Sequence, residues 1–263
     1  MNNAMLSIAP RYLAASTVED HHAHLVHLAK TAAWTLQANA TVTAATSPCG
    51  LVTALADRPD NPDAAHLFLS ARTHPARPAR WKATLGGDLP VEFLAAMTTV
   101  LSAELLRDPD YVLYNLPRDG RLVALPGPGI AGWDYHADLN LVEWETRHRG
   151  TRALAYLRDR GSTAPLLAGG EDTLMMAAAT LAIPGGTEVI WWAGFSHEIP
   201  AVVTGAFLTT FLDPEPFTRP VGAFARPDLV PLLTTNRTAT TPGTPIPPGS
   251  LGGWGRNRGP GGR

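Results

Sequence analysis

Several groups of residues in this sequence have side chains able to do chemistry. Glu19-Asp20-His21-His22-Ala23-His24, followed by His27, is the densest set of potential metal ligands. On a helix, His21, His24 and His27 lie three apart and spread over roughly a third of the circumference. That spacing can hold a metal ion. It equally suits a solvated helix side next to the apolar Leu25, Val26 and Leu28. No Cys or His spacing elsewhere completes a closed tetrahedral site. Ser196-His197-Glu198 contains the three residue types of a hydrolytic triad. Neighbours on an extended chain point to opposite faces, so these three cannot line up as nucleophile, base and orienter. The glycines of a nucleophile elbow are also missing. Cys49 sits in a Ser47-Pro48-Cys49-Gly50 turn with no identifiable histidine partner, and is read as a turn thiol. Gly127-Pro128-Gly129-Ile130-Ala131-Gly132 spells GxGxxG. The following Trp133-Asp134-Tyr135-His136 does not open an apolar-periodic helix, so the motif reads as a linker turn.

Two basic clusters remain. Arg72, His74, Arg77, Arg80 and Lys82 surround a proline-rich loop, and Arg147, His148, Arg149, Arg152, Arg158 and Arg160 form the second group. Trp81 and Trp144 lie close to them in sequence. Arginine on phosphate with aromatic stacking is how sheet surfaces take single-stranded nucleic acid. The same charges also suit a solvated hairpin edge that resists edge-to-edge aggregation. The nucleic-acid candidates are Arg72, Arg77, Arg80, Lys82, Arg147, Arg149 and Arg152.

The elements that carry these residues repeat. At a constant offset of 110, Trp81 meets Trp191, Ala83 meets Ala193, Asp88 meets Glu198 and Pro90 meets Pro200. In each copy a strand carries the tryptophan. An acidic residue follows, and proline is expected at the first helical position, where its missing N–H costs nothing. Phe93, Met97, Leu101 and Leu105 then recur every four residues, as do Val203, Phe207 and Phe211, which marks one buried helix face. Asp108-Pro109 and Asp213-Pro214 stop the helices. The repeated parts of IWWAGFSHEIP (190–200) are those a strand-to-helix corner needs, while its Ser and His fall on Gly86 and Gly87 of the other copy. The spacing predicts a packed Trp191 and a helix starting at Pro200. Upstream, Trp34 and Trp133 open the two copies. Strands are predicted at 41–45, 51–56, 66–72 and 80–85, and at 139–144, 152–157, 175–183 and 188–195, with an insertion around 161–171.

The predicted fold class is therefore α+β: two tandem ββββα repeats, each an antiparallel sheet with a C-terminal helix on one face, packed as a pseudo-dimer. An N-terminal segment and helix occupy 1–30, the first repeat 31–110 and the second 131–216. A hairpin and linker fill 111–130, with strands at Tyr111 to Asn115 and Arg121 to Leu125. The Pro/Thr/Gly-rich stretch 217–263 is expected to be largely disordered.

Composition narrows the function. Of 263 residues 45% are hydrophobic and 17% charged, with net charge −2, so no global field draws the chain to DNA or to an anionic membrane. The longest apolar stretch, Leu174 to Ile183, is too short to span a bilayer. The start lacks a signal-peptide pattern, and the lone Cys49 permits no intramolecular disulfide, so a cytoplasmic protein is expected. The excess of 19 Arg over 2 Lys, with abundant Ala, Gly and Pro, reads as a high-GC codon bias typical of actinobacteria.

The order Ala9-Pro10-Arg11-Tyr12-Leu13-Ala14, Ala32-Ala33-Trp34, Thr46-Ser47-Pro48-Cys49-Gly50, Trp81 and Leu89-Pro90-Val91-Glu92 resembles the actinobacterial SPDY family, domain of unknown function 317. The resemblance covers roughly residues 8 to 215. It departs from the pattern at Cys49, where an acid usually follows Ser-Pro. It departs again in the second copy, which has Thr146-Arg147-His148 at the Ser-Pro position and Val202 opposite Glu92. The resemblance implies a tandem domain and an association with plasmids or other mobile elements. It implies no activity and no catalytic residues. The expected function is a non-enzymatic binding or accessory protein that contacts DNA, RNA or a protein partner through sheet faces and basic hairpins, with no cofactor. The competing expectation is a metal-dependent enzyme or metal-binding protein using His21, His24 and His27. Trp34, Trp81, Pro90, Trp133, Trp191 and Pro200 are assigned structural roles. Oligomeric state is not legible.

Overall fold

The alternation of small apolar with polar residues builds much of the described chain into strands. The computed structural model describes residues 5–58, 64–115, 125–138, 141–158, 173–220 and 225–238. Within them a ten-stranded sheet runs β2-β3-β4-β5-β6-β11-β10-β9-β8-β7, each strand antiparallel to its neighbour. The first five in sequence are β2 (Thr35–Ala38), β3 (Val42–Thr46), β4 (Val52–Asp57), β5 (Ala65–Ala71) and β6 (Trp81–Gly87). The second five are β7 (Asp134–Ala137), β8 (Leu141–His148), β9 (Thr151–Arg158), β10 (Thr173–Ile183) and β11 (Gly186–Ser196). The last strands of the two sets, β6 and β11, meet in the middle, with Thr84 opposite Gly194. Strands are thus paired to their sequence neighbours everywhere but at this seam, as short connections favour. β1 (Met5–Ala9) forms a separate three-stranded sheet between β12 (Phe217–Pro220) and β13 (Thr234–Thr238).

The sheet has one buried face because its apolar residues recur with period two. Val52, Ala54 and Ala56 of β4 face inward, as do Trp81, Ala83 and Leu85 of β6 and Trp191, Ala193 and Phe195 of β11. Helix α2 (Val91–Arg107) follows β6 and α4 (Ala201–Leu212) follows β11, and the two pack on each other against this face. Phe93 of α2 and Phe207 and Phe211 of α4 surround the Trp191 ring. The two equivalent tryptophans are anchored alike: Trp81 Nε1 donates to Val112 O at 2.7 Å, and Trp191 Nε1 donates to Tyr12 O at 2.8 Å. Helix α1 (Val18–Thr31) covers β3 and β4 and begins with a capping box between Thr17 and Asp20.

The eight predicted strands all form, but each set holds one more. β2 and β7 escape the sequence reading because they are edge strands of four residues; β2 is exposed throughout, and β7 nearly so. Such strands bury no alternating face, so no period marks them. The predicted strand at Tyr111–Asn115 is instead a helix, α3 (Pro109–Tyr114). Asp108-Pro109 does end α2, but Asp108 also accepts from Tyr111 N and Pro109 sits in the first turn, so the stop is at once a new start. The second strand of that hairpin lies mostly outside the described residues, as does the insertion at 161–171. Pro90 and Pro200 occupy the N-cap, one residue before the predicted position. The segment 217–238, assigned to a disordered stretch, pairs with β1 on both sides and contributes buried Phe217, Leu229 and Leu233. Its Thr and Pro content hides short strands whose partner is more than two hundred residues away. The remainder, 239–263, lies outside the described residues.

Gly87 closes β6 at the corner into α2, with φ +69; a Cβ there would lie 2.3 Å from Ile190 O and 2.8 Å from Trp191 Cα. Left-handed backbone alone costs an ordinary residue ~1–2 kcal/mol, and the carbonyl cannot move without opening the seam. Gly87→Ala is expected to lower unfolding stability by at least ~2 kcal/mol in urea titration.

Candidate binding surface on the open sheet face

The helices lie on the inward face, and β12 joins them there, with Phe217 against Phe93 and Arg219 bonded to Glu92. Among the described residues no helix packs on the opposite face. Register places Leu55, Phe68, Thr84, Gly194, Met176 and Tyr156 in one row across that face, from β4 through β9. Trp192 and Leu154 stand in the next row. All of these are half-buried by their neighbours, none fully covered. This apolar and aromatic centre is a candidate interaction surface.

The two basic clusters sit at opposite ends of this face. Arg72, Arg77 and Arg80 belong to the loop joining β5 to β6. That end is where Lys82 N donates to Ser196 Oγ at 2.9 Å. Arg147, Arg149 and Arg152 flank the turn joining β8 to β9, at the far end, where Ala182 N donates to Gly150 O. Strand spacing and rise put Lys82 and Arg152 roughly 25 Å apart on a diagonal that crosses the aromatic rows.

Charge at each end is partly neutralised. Arg80 pairs with Glu198 at 2.9 Å and lies over the Tyr114 ring. Arg72 Nη1 donates to Pro75 O at 3.3 Å, while Arg77 and Lys82 are exposed. Glu145 accepts from Arg152 twice, at 2.9 Å each, and from Arg147 at 2.7 Å. Those guanidiniums, Arg152 foremost, hold the Glu145 carboxyl below the usual carboxylate range, and Glu145 in turn raises Arg152. Arg149, at φ +46 in the turn, reaches Pro231 O at 3.4 Å. Three guanidiniums against two carboxylates, Glu145 and its neighbour Glu143, leave this end positive. A basin of ≈ 510 Å3 lies between Arg147, Arg149, Arg152, Thr180 and Thr187. A second cleft, ≈ 470 Å3, runs along β11 where it passes the end of β6, lined by Gly87, Ile183, Thr187, Glu188, Val189 and Trp192.

The tryptophans nearest the basic clusters in sequence are not at the surface. Trp81 and Trp144 are each 1% exposed and face the core, so neither can stack on a ligand. The rings this face carries near its centre are Trp192, Phe68 and Tyr156, which the sequence reading did not single out. The signal was present: adjacent residues of a strand face opposite ways, so a packed Trp191 obliges Trp192 to point outward. Trp34 and Trp191 are buried and Trp133 packs against Tyr12 and Phe211.

The other candidates do not converge. His21 is fully buried and its Nε2–H donates to Leu89 O at 2.8 Å, His24 Nε2 bonds Thr98 Oγ1 at 2.9 Å, and His27 is exposed. Among the described residues no three His, Cys, Asp or Glu are grouped to hold a metal ion. Ser196 accepts from Lys82, His197 lies near Arg158 and Glu198 binds Arg80, so these three point apart. Cys49 is exposed, 3.2 Å from Ser47 Oγ. Gly127 to Gly132 is a loop leading into β7, with no helix to meet a pyrophosphate. No helix among the described residues is long and apolar enough to cross a membrane.

The chain is thus an α+β protein with a large antiparallel sheet and few helices, and among the described residues no helix covers one face of that sheet. Residues 46–105, from the end of β3 through most of α2, match the family model SPDY, a domain of unknown function (DUF317). Comparison with curated proteins and with solved structures returned no match.

Proposed function

We propose that the protein is a non-enzymatic binding protein that takes nucleic acid on the open face of its ten-stranded sheet. The observation that carries this reading is the aromatic centre of that face, Phe68, Tyr156 and Trp192, set between basic clusters at its two ends. Guanidiniums supply backbone attraction and the rings supply contact area that every base can use. The face is built from two copies of one unit, residues 35–107 and 134–212, in a pseudo-dimer. Support for that comes from the 110-residue offset: it relates Thr84 to Gly194, and these two are also direct neighbours across the central seam. A local two-fold axis there carries β6 onto β11 and α2 onto α4.

Fluorescence anisotropy with labelled DNA and RNA, single- and double-stranded, tests the reading. Binding is expected to weaken as salt rises, and Arg77→Ala with Arg147→Ala to reduce the log–log salt slope by about 1.4, at roughly 0.7 per single-strand phosphate contact. Absence of binding at low salt overturns it, and leaves a protein partner as the occupant of the face.

A further inference from the structure

We propose that the cleft beside Trp192 is a stacking subsite for an unpaired base, and that the adjoining arginine basin holds the phosphates of the same single strand. The proposal rests on the reading that the open face binds nucleic acid, and narrows it to single strands. The indole is fixed by a missing side chain. Gly86, directly across the seam from Trp192, would carry a Cβ 2.6 Å from the indole Nε1 and 2.7 Å from Cε2. Glycine therefore lets the ring lean down onto the sheet, held in place before any ligand arrives. Ile183 and Val189, 42% and 51% exposed, supply apolar walls. They belong to the part of the β10–β11 hairpin that runs past β6, whose pairing with β11 stops at Trp191. Large aliphatic side chains left open beside a half-exposed tryptophan suit a flat ring rather than a phosphate. The carboxylate in the cleft, Glu188, is held by Arg226 at 2.9 Å and further disfavours an anion there.

The basin has the opposite character. Arg147, Arg149 and Arg152 outnumber the nearby carboxylates Glu143 and Glu145, and Thr180 and Thr187 line the same basin. Thr187 lines both cavities, so base site and phosphate site are continuous across the hairpin. Arg152 on β9 is two strands across and two residues along from Trp192 on β11, about 12 Å at the usual strand spacing and rise. A span of that length between ring site and charge site calls for a chain of nucleotides. Bases of an intact duplex are stacked inside it and cannot enter the cleft.

The test compares three labelled probes of equal length: an oligothymidylate single strand, the same deoxyribose-phosphate chain without bases, and the duplex with oligoadenylate. The wild-type protein is expected to bind the base-bearing strand about 5- to 100-fold tighter than the abasic chain, the increment of one stacked base. Trp192→Ala lowers that ratio by about 5-fold or more, the increment of one stacked base, and leaves the salt slope unchanged; Trp192→Phe retains most of it. Gly86→Ala, which dislodges the indole while keeping it, reduces the ratio as well. Arg147→Ala with Arg152→Ala weakens both single-chain probes equally and lowers the slope. The subsite is overturned if Trp192→Ala keeps the wild-type ratio, if the abasic chain binds as well as the thymidylate, or if the duplex binds as tightly as the single strand. Failure of every probe to bind at low salt overturns the nucleic-acid reading as a whole.

Discussion

Trp191→Ala is expected to unfold the protein under conditions where its neighbour Trp192→Ala stays folded. Trp191 has no exposed surface, and its ring touches Phe93, Phe207 and Phe211 with centroids 5.5, 6.2 and 5.5 Å away. Truncating a buried tryptophan costs ~3–5 kcal/mol through lost transfer energy and the cavity left behind. The indole N–H also satisfies Tyr12 O, which would be stranded in the core at a further ~1–3 kcal/mol. Domains carry only ~5–15 kcal/mol in total, so the sum removes most or all of the stability. Trp191→Phe keeps an aromatic ring among the three phenylalanines and isolates the hydrogen bond. Urea unfolding followed by circular dichroism orders the variants: wild type and Trp192→Ala nearly together, then Trp191→Phe, then Trp191→Ala. A Trp191→Ala midpoint within the error of wild type would mean that the core is not organised around this residue.

The same pair of tryptophans explains how much of the molecule is legible from its sequence. The strand-to-helix corners at 81–93 and 191–203 repeat in residue type and spacing, because burial against α2 and α4 leaves little freedom there. The inward face of the sheet, its eight longest strands and helices α2 and α4 could all be read from periodicity. β2 and β7 bury almost nothing and therefore carry no pattern. β1, β12 and β13 pair residues such as Ile8 and Phe217 that no local period relates. Half of the candidate surface was visible as basic clusters, since charge is plain in any sequence. The aromatic half was assigned to Trp81 and Trp144 on proximity along the chain, when parity along each strand decides which ring faces outward. The order of strands then determines what the clusters do: Arg77 and Arg147 stand at opposite ends of one face, an arrangement set by the seam between β6 and β11.

Acid is expected to destabilise the protein well before its carboxylates titrate, through histidines that hold α1 on the sheet. His21 lies fully buried between α1 and the corner before α2, its Nε2–H on Leu89 O and its ring 5.4 Å from His66. Its Nδ1 has no hydrogen-bond partner, and neither has His66 Nε2. Protonating His21 would place a charge and a donor where no acceptor waits, next to a second imidazole. Burial accordingly pushes the His21 pKa down from 6.5 to about 3, with His66 adding to the fall and Asp20 opposing it. Burial likewise lowers His24, on the same helix against Thr98 of α2, to about 4, with His27 adding to the fall. The unfolded chain takes up these protons near pH 6.5 and the folded chain does not, so stability falls as pH drops through that window. Each such histidine costs ~1.4 kcal/mol per pH unit between its unfolded and folded values. Stability from the pair is complete above about pH 7 and is lost progressively toward pH 4, where the loss reaches several kcal/mol. Thermal melts from pH 7.5 to 4.5 measure it, with His21→Gln as the control. Glutamine keeps a donor within reach of Leu89 O and cannot titrate, so the variant should show a shallower slope across pH 6.5 to 4.5 even if it starts less stable at pH 7.5. An unchanged slope would show that α1 docking does not depend on the charge state of His21, and the acid response would then have to come from His22, His24 and His66, which burial also lowers.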